Sequence, residues 1–181
     1  ILYKRWGSYS TFQRTRGVLR LLALVIHSLK DRNLPFITLG DFDLSKQEIR
    51  QELLKHIGAE YNSVIASDIT GLDAGSKKVN AALGKAYQGL RLGDRVTTTT
   101  FMYSFSGGVE RGATLVEIKR NATTLENPSA VVAEAVEELK GRLFYIQSQS
   151  GKYFFSNQAN LNRMLLTNME NIQQSELDEL E

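Results

Sequence analysis

The 181-residue chain has no cysteine, which excludes disulfides and thiolate metal sites. Its two histidines, His27 and His56, stand apart from each other and from any HxxxH or HExxH pattern, so the histidine spacing of a zinc enzyme is missing. No apolar run approaches the roughly eighteen residues of a membrane span; the longest extends only from Leu21 to His27. No secretory signal is visible. The GxxxxGK[ST] phosphate loop is also missing: GDRVTTTT lacks both the closing glycine and the lysine that would neutralise phosphate charge. A net charge of +2 is too small to argue for nucleic acid by itself.

What is present starts with the distribution of that charge. Residues 1–33 carry Lys4, Arg5, Arg14, Arg16, Arg20, Lys30 and Arg32 against a single Asp31, whereas Glu170, Glu176, Asp178, Glu179 and Glu181 close the chain without a base among them. An apolar content of 42% is enough for a real core, as one domain or two small ones. Ile1 opens inside an amphipathic segment, which raises the expectation of a piece cut from a longer protein.

The most informative stretch is TFQRTRGVLRLLALVIHSL, residues 11–29. Leu19, Leu22, Val25, Ile26 and Leu29 recur at helical spacing, and Ser10 or Thr11 can cap the helix start. Arg14, Arg16 and Arg20 crowd its positive end, where each cation costs about 0.3–1 kcal/mol. A bound anion, phosphate above all, would compensate; solvation or carboxylate partners would do so equally well.

Further along, Ser45 and Glu48 have capping-box spacing ahead of a helix with Ile49, Leu53 and Leu54 on its apolar face and Gly58 as its stop. Asp41 and Asp43 read better as helix caps than as ligands for a hard cation. EYNSVIASDI fits a short helix or a strand. A polar joint near 71–77 divides the chain into residues 1–75, 76–157 and 158–181.

The second part reads as a helix from about Val79 to Ser106, interrupted near Leu92–Asp94. The turn GGVERG and a short helix, ATLVEIKRN, follow. A further helix has Asn127 as N-cap, Pro128 at its first position and Gly141 beyond its end. LFYIQSQSGKYFFSN has the alternation of a β-hairpin turning at Ser-Gly. A last helix starts near Ala159, with Leu161, Leu165, Met169, Ile172 and Leu180 on one stripe. This order matches a winged helix, provided RVTTTTFMYSFS is helical despite its four threonines.

RWGSYSTFQRTRGVLRLLALVI, FITLGDFDLSKQEIRQELLKHIG, TTTFMYSFSGG, RGATLVEIKRNAT and LFYIQSQSGKYFFSNQANLNRML resemble segments of a group of prokaryotic AAA+ type ATPases, the domain of unknown function four-nine-nine. The resemblance covers nearly the whole chain and implies a mainly α fold: a helical AAA+ lid-like subdomain followed by a winged-helix domain. It further implies a C-terminal regulatory fragment of a P-loop ATPase, cytoplasmic, linked to DNA surveillance or phage defence, and inactive alone. ATP and magnesium would belong to the parent protein, with no catalytic or metal residue in this chain. Arg14, Arg16 and Arg20 would then be sensors of the γ-phosphate. Partners would be the upstream ATPase core, DNA, or a methylase or helicase subunit, and no membrane. Arg111, Lys119, Arg120, Arg142 and Lys152 are the candidate DNA contacts. Glu134, Glu137 and Glu138 weaken the third helix as a DNA reader, so docking against a partner subunit remains the alternative.

Overall fold

The computed structural model describes residues 16–105, 111–127, 129–161, 164–166 and 169. The arginine-led segment is helical over Arg16–Leu29, α1. Its buried apolar side chains, Val18, Leu21, Val25 and Leu29, are three or four apart, and this stripe packs against α2, Gln47–Ile57. Gly58 ends α2 with φ +107°, a conformation open to glycine. The expected Ser45–Glu48 capping box does not form. Lys46 occupies the cap position, and the Ser45 hydroxyl donates instead to Asp43, closing a local turn. Asp41 does cap: its carboxylate accepts from the Thr38 backbone, in a capping box around a short 3₁₀ turn, Leu39–Asp41.

EYNSVIASDI is helical. Tyr61–Val64, α3, runs directly into a π-helical turn, Ile65–Thr70. α4 spans Gly75–Ala82, a 3₁₀ segment covers Lys85–Leu90, and α5 covers Leu92–Met102. The interruption expected at Leu92–Asp94 thus falls earlier, over residues 83–91, and Leu92 restarts the helix.

The threonine run is helical because α5 is the central element of the molecule. It packs on α4, on α6 (Leu115–Ala122), on α7 (Ser129–Arg142), on the 39–41 turn and on the sheet. Every residue from Val96 to Met102 is buried. Small β-branched side chains fill such a crowded environment, and the Thr100 hydroxyl is satisfied at the Val96 carbonyl, 2.8 Å away. α5 also lies very close to α4: a Cβ on Gly93 would stand 2.2 Å from the Ser76 carbonyl oxygen.

The hairpin forms as expected, β2 (Ile146–Gln149) antiparallel to β3 (Lys152–Phe155). Ser150 and Gly151 both have positive φ, 50° and 73°, as a two-residue turn of the primed kind requires. A third strand was not foreseen. Ala113–Thr114, β1, pairs with β3, giving the sheet order β1-β3-β2. Thr114 ends that strand and caps α6 in a box with Glu117. Two further expectations need correction. Gly141 lies within the last turn of α7, not beyond it, and the Asn127 side-chain oxygen accepts from the backbone of Thr124, closing the preceding loop. Pro128 and most of the final helix lie outside the described residues.

The described fold is therefore mainly helical with a small three-stranded antiparallel sheet. One buried apolar cluster extends from Val18 to Phe155, and Phe101 at its centre meets Phe105 and Phe155 edge-on.

Candidate functional site

Arg14 lies outside the described residues. Arg16 is exposed at the described start of α1, and Arg20 follows one turn later. Arg20 has a carboxylate partner that the sequence did not single out: its Nε is 3.2 Å from Glu52. Glu52 is buried on α2 and also meets Lys55 at 2.9 Å and His56 at 3.6 Å. Burial would raise the Glu52 pKa, but Lys55, Arg20 and His56 together hold it below the ordinary value. Arg20 nevertheless keeps a largely exposed side chain, and it shares α1 with exposed Leu19 and Ile26.

Between the 32–45 loop, the head of α5 and the 124–126 loop lies a cleft of about 460 Å³, within the usual range of ligand sites. Its polar floor is fixed by two consecutive residues of α5. Arg95 donates through Nη1 to Asp41, through Nη2 to the Thr38 hydroxyl at 3.0 Å, and through Nε to the Ala122 carbonyl at 2.8 Å. Asp94 accepts from Lys77 and Arg91, both at 2.7 Å, and from Ser76 at 2.9 Å. Burial pushes both carboxylates up, but the guanidinium and hydroxyl partners of Asp41, and the Lys77, Arg91 and Ser76 partners of Asp94, bring each below its ordinary value. Arg95 thereby ties the loop after α1 to α5 and to the end of α6.

Above this saturated floor the rim is apolar, with Phe36 54% and Leu125 82% exposed. A second hollow of about 430 Å³ shares Phe36, Thr124 and Leu125 with the cleft and adds Lys119 and Arg120. The fold thus brings these two candidate bases together. The other three are placed separately. Arg111 donates to the Phe155 carbonyl at 2.9 Å and stacks 4.5 Å above the Phe154 ring. Arg142 pairs with Glu138 at 2.7 Å, and Lys152 is half-buried on β3.

α7 buries Val131, Val132, Ala135, Val136 and Leu139 and turns Glu134 outward. Glu137 is engaged by Lys140 at 2.8 Å; that hydrogen bond, assisted by Tyr153, raises the Lys140 pKa.

The sequence reading also passed over Asp68. This fully buried residue of the π turn accepts the backbone N–H groups of Phe144 at 3.1 Å and Tyr145 at 2.8 Å. Burial raises its pKa to about 6 in spite of those bonds, and the carboxylate fastens the base of the hairpin to the first half of the chain. Among the described residues no group of three or more histidines and carboxylates is arranged to hold a metal, and no helix is long and apolar enough to cross a membrane.

Comparison with known proteins finds a relative of part of the chain. Over 63 residues, 32% of this chain, the sequence is 40% identical to an uncharacterized protein of Archaeoglobus fulgidus and covers 83% of it. No protein-family model matches the chain, and no solved structure matches it.

Proposed function

The chain belongs to the same family as that uncharacterized archaeal protein; from its own sequence and fold we propose that it is the lid and winged-helix portion of a cytoplasmic AAA+ type ATPase. The observation that carries the reading is the order α5, β1, α6, α7, β2, β3 with sheet order β1-β3-β2. Helix, strand, helix–turn–helix and a hairpin closing on the first strand is an order that supports a winged-helix reading. The helices before it form the lid. Arg14 and Arg16, with Arg20 one turn deeper and paired with Glu52, would be the sensors of the γ-phosphate of an ATP held with magnesium by the ATPase core. There a guanidinium stabilises charge on the transferring group. Arg95 supports coupling between the halves, because one guanidinium grips both the loop after α1 and the end of α6.

Within the winged helix, docking of a protein partner is favoured over reading DNA. The α7 surface carries Glu134 unaccompanied, and Arg142 and Lys140 are occupied by Glu138 and Glu137, so little positive charge is left there for phosphates. Duplex binding, where it occurs, is weak and steeply salt-dependent, through Lys119, Arg120 and the basic first segment. In this reading the partner is a methylase or helicase subunit engaged in DNA surveillance.

The test is made in the ATPase that contains this segment. Arg14→Ala and Arg16→Ala are each expected to lower turnover by orders of magnitude while nucleotide affinity changes far less. Unchanged turnover in both single variants and in the double variant overturns the sensor role.

A further inference from the structure

Two apolar surfaces of the described chain face solvent. One is the rim of the cleft, where Phe36 and Leu125 protrude from loops on opposite sides. The other lies near the C-terminus, where Leu161, Met164, Leu165, Leu166 and Met169 are helical and 43–77% exposed. The cleft itself is balanced in charge, with Asp43 and Glu126 lining it beside Arg32 and Lys77, but the hollow next to it and the end of the chain are opposite. Lys119 and Arg120 line the hollow that adjoins the rim, and the sequence after Met169 adds Glu170, Glu176, Asp178, Glu179 and Glu181 with no base.

The point from which the C-terminal residues depart is fixed. Ser156 donates to the Tyr145 carbonyl at 3.1 Å and Asn160 to the Phe144 carbonyl at 2.7 Å. Phe144 and Tyr145 are themselves held by Asp68. The segment therefore leaves from the base of the hairpin, and its first apolar residues are uncovered on their own chain. The surface that matches them is the Phe36–Leu125 rim of another copy, apolar in itself and bordered by Lys119 and Arg120 in the adjoining hollow.

We propose that residues 161–181 of one copy dock into the cleft of a second copy, and those of the second into the first, giving a two-fold symmetric dimer. Leu161, Leu165 and Met169 supply the apolar anchors, and the acidic end meets Lys119 and Arg120. Reciprocal exchange closes the assembly at two chains, because each cleft and each C-terminal segment is used once. The proposal goes beyond the nucleotide-sensing reading and does not depend on it.

Sedimentation velocity of the full chain, at rising concentration and at two salt levels, tests it. The expected result is a monomer–dimer equilibrium weakened by salt, since acid–base contacts at a solvated rim are screened. Leu125→Glu on the cleft and Leu165→Glu on the C-terminal segment should each weaken self-association about tenfold or more. Both residues are exposed, so an unchanged urea midpoint, measured at a concentration where the wild type is monomeric, confirms that the variants fold. Mixing the two variants should recover a dimer tighter than either variant forms alone but weaker than wild type, because one of its two contacts joins an intact C-terminal segment to an intact cleft while the other carries both substitutions. A wild-type chain that stays monomeric at roughly millimolar concentration overturns the proposal, including the case in which the segment covers its own cleft. So does a dimer indifferent to both substitutions.

Discussion

Asp68 makes stability depend on pH in a direction opposite to that of Asp41, Asp94 and Glu52. Burial raises its pKa from 3.8 to about 6, so between those values the folded chain holds a proton that the unfolded chain has released. Stability from this group is then fully present below pH 3.8, falls as pH rises through the window, and is flat above it. Two pKa units at 1.36 kcal/mol each give about 3 kcal/mol over the full window, and about 2 kcal/mol of that falls between pH 4.5 and pH 7. Asp41, Asp94 and Glu52 are depressed. Their contributions are present above the ordinary carboxylate values and are lost only as pH falls through the lowered ones, so the two effects occupy different ranges. Asp68→Asn removes the titration while keeping one oxygen for the Phe144 and Tyr145 amides. Losing the second acceptor costs about 1–3 kcal/mol, which near pH 7 is offset by no longer burying a charge. The assay is urea denaturation of both chains in half-unit steps from pH 4.5 to pH 7. Wild-type stability should decline by about 2 kcal/mol relative to Asp68→Asn across that range. Parallel profiles, or a wild-type chain that gains on the variant with rising pH, refute the assignment.

Arg95→Met should destabilise the chain by about 3–5 kcal/mol, because it leaves the Asp41 carboxylate buried without its cation. Adding Asp41→Asn should recover part of that loss, and urea midpoints of the two singles and the double measure the coupling. Gly93→Ala should cost about 1–3 kcal/mol or more, since its Cβ meets the Ser76 carbonyl and the Asn80 amide between two packed helices. Thermal melts of Gly93→Ala beside Gly89→Ala, where nothing lies within 4 Å, separate this close approach from a general effect of replacing glycine.

The sequence by itself determined features that neighbouring residues create. The apolar spacing of α7, the stop at Gly58 and the Ser-Gly turn of the hairpin depend on backbone geometry over a few residues, and each appears where its pattern placed it. The threonine helix was legible only through the order of elements around it, because threonine's local preference is for strand. Capping was half legible. Ser45 and Glu48 had the spacing, but Asp43, two residues away, took the serine hydroxyl. Tertiary structure alone decided the rest. Asp41 and Arg95 are 54 residues apart and Asp68 and Tyr145 are 77 apart, and Arg20 finds Glu52 on the next helix. Nothing local marks such pairs, since an acid or base in sequence looks the same whether it is solvated or buried. β1 was invisible for the same reason: a two-residue strand has no periodicity of its own and exists because β3 presents an edge for Ala113 and Thr114 to pair with. The cleft arises likewise, where three segments distant in sequence are drawn around the head of one buried helix.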